Sequence, residues 1–507
     1  MAAKNTLALA GLMCGAFAIG TDFTGALLLV PSIESDFSAD ITTTQWVLNI
    51  YALTFAMFMV SGGRLGDLRG HRRMMLAGFT VFIAASFSCY LAPSVEWLIA
   101  ARAVQGVGAA LIWPCIIAKG ATVIEGDSGL GLGLVLAGVT AGNVIGPLIS
   151  GLVVSYGDWR LFFLINTLVG LLALTIAALL LEREHPHDVQ ERIDFGGVAV
   201  LSGAVLSLMV ALDQGAAWGW QSQATLALFG VSLVLLIVFP FVEKRSRDPL
   251  LPLDMLGNRD FVIALSGNAL NVPAIFISFL YFPQFMTKTL AWTVMEASYG
   301  MTPLMVLLAV GSVLAGVLYK DFGAKRLLIA GYALITAGTV FVILLKPDWG
   351  YDGLLPALIL IGLGGTLTVT TSGTAAVGSV HPSRTGLAGG LSFMAHLVVG
   401  AIGVAVATAV MVSVSAATLA RELTAAGIAL SADEQRTLNG LDPDTPEVKS
   451  LLSGLSPEES AKVGQILVDA FASGLSAAYW CALIPAAIGL VLMFALDEKK
   501  LEAPKAA

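Results

Sequence analysis

Two charged side chains stand inside long apolar runs: Asp22, in Gly20-Thr21-Asp22-Phe23-Thr24, and Arg102, in Arg102-Ala103-Val104-Gln105-Gly106-Val107-Gly108. A carboxylate or guanidinium at the centre of a bilayer costs about 2.5–3.5 kcal/mol on insertion scales, so each needs a partner, a water cavity or a proton. Desolvation favours the neutral form of a carboxyl group, which suits reversible protonation. Arginine keeps its proton and must find a carboxylate, carbonyls or water. Asp22 is therefore the candidate partner of Arg102. A pair that opens when the carboxylate is protonated would couple proton movement to a change of shape. The competing readings are an Asp22 hydrated near a helix end and a static or snorkelling Arg102. His396, the one histidine within an apolar run, could titrate near neutral pH. A satisfied core histidine is the simpler reading.

A second constellation is the loop Gly63-Arg64-Leu65-Gly66-Asp67-Leu68-Arg69-Gly70-His71-Arg72-Arg73 between two apolar runs. Arginine this dense marks a cytoplasmic loop, the glycines allow a tight reversal, and Asp67 can accept hydrogen bonds from a helix N-terminus or pair with an arginine. A purely topogenic role is the alternative. Gly316-Val317-Leu318-Tyr319-Lys320-Asp321-Phe322-Gly323-Ala324-Lys325-Arg326 repeats the frame, with Gly, Leu, Gly and two final basic residues in register. Two such loops suggest two homologous halves, a signature of secondary transporters.

The elements that must position these groups are membrane helices. The 507 residues are 57% hydrophobic, and the mean hydropathy is +0.85. Neither figure fits a soluble globular protein. Apolar runs of roughly 18–25 residues, the length of a transmembrane helix, recur along the chain. Fourteen are expected, the first near 7–30 and the last near 472–496. More than half of the 27 Lys and Arg fall in short loops on one side, which places both termini in the cytoplasm. For the two basic loops to match, the layout must be six, two and six. Residues 1–182 form a first bundle and 183–260 two accessory helices with charged cytoplasmic linkers. Residues 261–507 form a second bundle that includes a long outer loop, 414–471, expected to hold short amphipathic helices. The N-terminal run reads as the first membrane helix and not as a removed signal peptide.

Further polar groups are weaker candidates for lining a substrate cavity: Gln45, Asn49, Tyr51, Trp113, Asn143, Asn271, Phe276, Phe279 and His396. Trp46 suits the aromatic belt at the interface. The fifth run is rich in glycine, with Gly133, Gly138, Gly142 and Gly146-Pro147-Leu148-Ile149-Ser150-Gly151. Glycines four apart give a helix one smooth face and Pro147 bends it, so the run could act as a gate or simply pack closely. Asp194 reads as a helix cap and Asp213 as a hydrated acid at a loop edge. Cys14, Cys89, Cys115 and Cys481 lack metal-ligand spacing and read as small packing residues. No nucleophile–base set, nucleotide loop or metal spacing argues for an enzyme, and no basic patch argues for nucleic acid.

These residues resemble the major facilitator superfamily, in particular its fourteen-helix drug:proton antiporter branch. Gly63–Arg73 resembles the family's loop 2–3 motif. Leu98 to Gly108, through Arg102, Gln105 and Gly106, resembles its helix 4 arginine motif. Gly138 to Gly151 resembles the helix 5 motif of exporters. Asp22 with Pro31 and Gln45-Trp46 resembles the branch's helix 1–2 pattern, and Trp159-Arg160 with Asn166 also agrees. Leu68 stands where a basic residue is usual, Ser150-Gly151 replaces two glycines, and Met394-Ala395-His396-Leu397 stands where an Arg-Gln pair is frequent. The thirteenth run lacks the acidic residue some members use for dicationic drugs, which disfavours divalent cations.

The resemblance implies an all-α major facilitator fold and a proton-coupled antiporter of the bacterial inner membrane. It would export hydrophobic or amphiphilic small molecules as a monomer in membrane lipid, with the proton gradient in place of any cofactor. Asp22 would accept the proton and Arg102 would switch with it. Gly63, Asp67, Gly70 and Arg72 would latch the inward-closed state, and Gly142, Gly146 and Pro147 would let helix 5 flex. An exporter of a native lipid or secondary metabolite is the second reading, and a non-transporting membrane sensor the third.

Overall fold

The computed structural model describes residues 2–39, 41–124, 128–182, 194–428 and 446–497, together with 434 and 438. Hydrocarbon offers no partner to a backbone N–H or C=O, so apolar runs this long must close their hydrogen bonds internally. They do so as helices, and no strand occurs among the described residues.

In chain order the helices begin with α1 (Ala2–Gly25), a 3-10 turn (Ala26–Leu29) and α2 (Val30–Phe37). Next come α3 (Ile41–Arg69), α4 (His71–Tyr90), α5 (Val95–Val123), α6 (Ser128–Ser155) and α7 (Arg160–Leu180). The middle of the chain holds α8 (Phe195–Trp218), α9 (Gln223–Arg245) and the short α10 (Leu253–Gly257). Then follow α11 (Arg259–Ala269), α12 (Val272–Lys288), α13 (Val294–Gly300), α14 (Thr302–Ile343) and α15 (Gly350–Gly378). The last are α16 (Thr385–Ala425), α17 (Pro446–Ser453) and α18 (Pro457–Met493).

Helix starts follow capping chemistry. Ser94, Asp194, Ser222 and Asn258 each accept a backbone N–H of the helix they open, as expected for Asp194. Thr293 with Glu296, and Ser456 with Glu459, form capping boxes.

Among the described residues thirteen helical stretches are long and apolar enough to cross a membrane, where the sequence count expects fourteen. The tenth and eleventh expected runs fall within one stretch, Met295–Ile343, in which Gly323 leaves helical backbone at φ 72° and ψ 172°. Gly70, its counterpart in the echoed loop, has φ 92°. Only glycine takes such backbone routinely, so each loop turns at the position the register of the repeat assigns.

The segment 414–471 differs from expectation. Among the described residues of this segment α17 is a short helix, whereas α16 runs unbroken to Ala425 and α18 begins at Pro457. Leu419 and Leu423 of one, with Val463, Ile466 and Leu467 of the other, belong to one buried cluster that holds the extensions together. The linker after Glu182 lies outside the described residues.

α1 packs on α6 and α7, α3 on α5, and α4 on α5 and α7. α14 packs on α15 and α18, α16 on α18, α11 on α15, and α12 on α16. These groups meet where α6 touches α14 and where α16 crosses α3 and α5. α8 packs on α9 and touches both α3 and α16. α9 leaves Leu226, Leu233, Val234, Ile237 and Phe241 exposed, an apolar surface suited to lipid.

Candidate functional site

Five helices converge on a buried polar cluster. α1 supplies Asp22, α3 the Val47 carbonyl and Tyr51, α4 Ser86, α5 Arg102 and Gln105, and α7 Asn166. Asp22 is fully enclosed and Arg102 is 1% exposed. Arg102 Nη1 donates to Asp22 Oδ2 at 2.5 Å and to Gln105 Oε1 at 2.7 Å, and its Nε donates to Val47 O at 3.0 Å. The other carboxylate oxygen, Oδ1, accepts from Asn166 Nδ2 at 2.8 Å and from Gln105 Nε2 at 3.1 Å. Gln105 Nε2 also donates to Ser86 Oγ at 2.8 Å. The guanidinium lies over the Tyr51 ring, 4.3 Å from its centroid. Burying two charges costs several kcal/mol each unless pairing and further hydrogen bonds offset it, and here both carboxylate oxygens are engaged. The sequence reading singles out the Asp22–Arg102 pair. It omits Ser86 as a member, whose type and position in α4 give no signal without the fold.

Two of the expected latch residues, Gly63 and Asp67, lie at the first of two close seams. α3 meets the start of α16 so tightly that a Cβ on Gly63 would meet the Gly386 backbone, and one on Gly390 the Met59 backbone. Asp67 spans this seam: its carboxylate accepts from Gly386 N and Leu387 N, each at 2.8 Å, with His71 Nε2 3.3 Å away. A carboxylate on the first N–H groups of a helix is favoured by both hydrogen bonding and the helix dipole. Arg72 Nη2 donates to Ala178 O at the end of α7 at 2.5 Å. The second seam repeats the first in register. A Cβ on Gly129 of α6 would meet Gly316 of α14, and one on Gly133 would meet Ser312. In the echo the place of Asp67 is taken by Lys320, so this seam has no equivalent carboxylate.

Gly138, Gly142 and Gly146 of α6 face α1. A Cβ on Gly142 would meet the Phe17 and Thr21 backbone, and one on Gly146 the Thr21 carbonyl. Thr24 Oγ1 donates to Asn143 O at 2.9 Å and Ser150 Oγ to Gly25 O at 2.7 Å, with Pro147 within the same helix.

The weaker candidates separate. Gln45 is exposed, and Asn49 Nδ2 donates to Asp213 Oδ2 of α8 at 2.7 Å. Phe279 is partly buried against the core of the second helix group. Asn271 ends a break between α11 and α12, where Pro273 supplies the fixed φ of a helix start. Trp113 and Phe276 join a chain of rings through Phe393 and His396. Phe393 is absent from the sequence reading, since a lone Phe in an apolar helix carries no signal of its partners.

Helices that cross between two packed groups, a buried ion pair in one group and close glycine seams between the groups define a membrane transporter scaffold. The Major Facilitator Superfamily pattern matches residues 12–404, and the chain belongs to that family as an integral membrane protein. The chain is 32% identical over 407 residues to the puromycin resistance protein pur8 of Streptomyces alboniger, covering 79% of this chain and 80% of that one. To the tetracenomycin C resistance and export protein of Streptomyces glaucescens it is 29% identical, covering 79% and 74%. The multidrug transporter protein MdtP of Bacillus subtilis is 27% identical, covering 99% and 95%. Among solved structures, the proton:xylose symporter XylE superposes with a TM-score of 0.60 at 15% identity, covering 99% and 97%, which shows the shared fold.

Proposed function

We propose that this protein is a proton-coupled antiporter that exports hydrophobic or amphiphilic small molecules across the bacterial inner membrane. The observation that carries the reading is a carboxylate, Asp22, enclosed in apolar helices and bonded to Arg102, Gln105 and Asn166. A proton arriving at Asp22 removes the counter-charge of Arg102. The guanidinium then keeps only neutral partners, namely Gln105, the Val47 carbonyl and the Tyr51 face. Two of these partners sit on α3, whose far end carries Asp67 and Gly63 at the seam. α3 thus links the proton site to the latch about 30 Å away, at about 1.5 Å per residue. Relatives named for drug resistance and export support the cargo class.

On this reading the break at Gly323 divides two spans, giving fourteen helices in a six, two, six layout with both termini cytoplasmic. Residues 1–182 and 261–507 rock about a central site as a monomer, with α8 and α9 beside them and no cofactor needed. Gly70 and Arg72 shape the latch loop. Gly142, Gly146 and Pro147 let α6 slide on α1.

The test is substrate-dependent proton release from proteoliposomes carrying a trapped pH dye, run with Asp22→Asn in parallel. Proton release that disappears in the variant is expected. Normal proton-coupled export by Asp22→Asn removes the carboxylate from the mechanism. One relative is named for export of a single compound, which favours, as second reading, a carrier dedicated to one native metabolite. Proton release with one compound class alone would decide for it.

A further inference from the structure

We infer that the ring-lined interface between the two helix groups takes uncharged aromatic molecules bearing hydroxyl or carbonyl oxygens, and rejects lipophilic cations. This rests on the transport reading above and narrows its substrate class. Six rings run in contact from one group to the other. Tyr51 lies 5.8 Å from Phe55, Phe55 is 5.7 Å from Phe393, and Trp113 is 4.3 Å from Phe393. Phe393 stacks on His396 at 5.5 Å with 7° between the planes, and Phe276 meets His396 edge-on at 5.6 Å. Phe393, from α16, is thus inserted between rings of α3 and α5. A flat aromatic guest could replace this ring with the same stacking geometry.

The polar atoms along the chain set what else the guest must carry. The Tyr51 hydroxyl, Trp113 Nε1 and His396 Nδ1 are buried without a hydrogen-bond partner in the protein, as is Asn271 Oδ1 at the α11–α12 break. Tyr51 and Trp113 are 1% and 2% exposed. An indole N–H can only donate, so the guest must bring an acceptor, and Asn271 Oδ1 accepts. A phenolic hydroxyl offers both functions, and a carbonyl offers the first.

Charge excludes the alternative. Apart from Asp22, the carboxylates of α3, α5, α11 and α16 are Asp67, Glu96, Asp260 and Glu422, each in the end turns of its helix, and α12 has none. Both oxygens of Asp22 already accept bonds, and Arg102 stands between it and the rings. A cation entering here would lose its hydration, gain no free counter-charge and face a guanidinium.

The experiment measures binding and transport separately. Radiolabelled 1,5-dihydroxynaphthalene is titrated onto purified wild-type, Trp113→Phe and Tyr51→Phe protein, with naphthalene and tetraphenylphosphonium as competitors. Proton release is then followed in proteoliposomes with each compound. Saturable binding that tetraphenylphosphonium does not displace, and that weakens about tenfold in either variant for the loss of one buried hydrogen bond, is expected. Naphthalene should compete weakly. Tetraphenylphosphonium competing as well as the dihydroxy compound, unchanged affinity in both variants, or no saturable binding overturns the inference. Should binding follow expectation while no compound drives proton release, the transport reading fails and this assignment stands. Should cations alone drive proton release, this assignment fails and the transport reading stands.

Discussion

Replacing Asp67 with Asn should open the seam between α3 and α16 without unfolding the protein. The wild-type carboxylate accepts from Gly386 N and Leu387 N at 2.8 Å each, on the first turn of α16. An amide can accept one of these hydrogen bonds with its oxygen but must turn its NH2 group toward the other. The lost bond to a charged acceptor is worth about 1.5–3 kcal/mol. The lost charge at the helix N-terminus adds about 0.3–1 kcal/mol. Taking the loss as roughly 2–3 kcal/mol, and 1.4 kcal/mol per factor of ten, the closed-to-open ratio should fall about 30- to 140-fold. The assay is a pulsed electron-spin distance measurement between labels at Arg69→Cys and Ser383→Cys, both exposed and on opposite sides of the seam. The wild type should give one short distance, and Asp67→Asn a second, longer population. An unchanged distance distribution would refute the argument, as would an equal shift from a variant remote from the seam such as Asp36→Asn.

The remaining predictions use the same physics at other sites. Asp22→Asn leaves the Arg102 charge buried without a carboxylate and should cost about 3–5 kcal/mol, read as a lower melting temperature. Asp22→Asn/Arg102→Gln should recover much of that loss while still failing to couple protons to export. Gly142→Ala places a methyl against the Phe17 backbone in the α1–α6 contact and should destabilise by about 1–3 kcal/mol in a thermal scan. Asp36→Asn removes an exposed pair with Arg160, 2.6 Å apart with side chains 41% and 26% exposed, and should cost no more than about 1 kcal/mol. Gly63→Ala should open the same seam as Asp67→Asn in the distance assay, since its Cβ would meet the Gly386 backbone.

The Asp22–Arg102 contact could be read from sequence because the physics leaves few alternatives: a lone cation at depth must find an anion, and few are on offer. The paired turns at Gly70 and Gly323 were legible for a similar reason, since glycine punctuation in register implies backbone that other residues avoid. Gly386 and Phe393 carried no such mark. Each matters through what lies opposite, on helices more than two hundred residues away in the chain. The direction of Arg72 was not legible, because a basic residue in a loop can reach carbonyls on either side, and only packing decides. The lengths of α16 and α18 were hidden because polar residues beyond the apolar run, such as Arg421 and Glu422, suit a hydrated helix as well as a loop.

The unbroken course of α16 makes it a lever. Its 41 residues span about 60 Å, with Gly386 and Gly390 at one end and the extension bound to α18 at the other. A stiff rod has no slack, so a tilt of about ten degrees about the seam would sweep the far tip through about 10 Å. If the seam opens in the transport cycle, as proposed, the position of the tip reports its state from the opposite face. A binder that grips the tip could hold that seam still without entering the transport path.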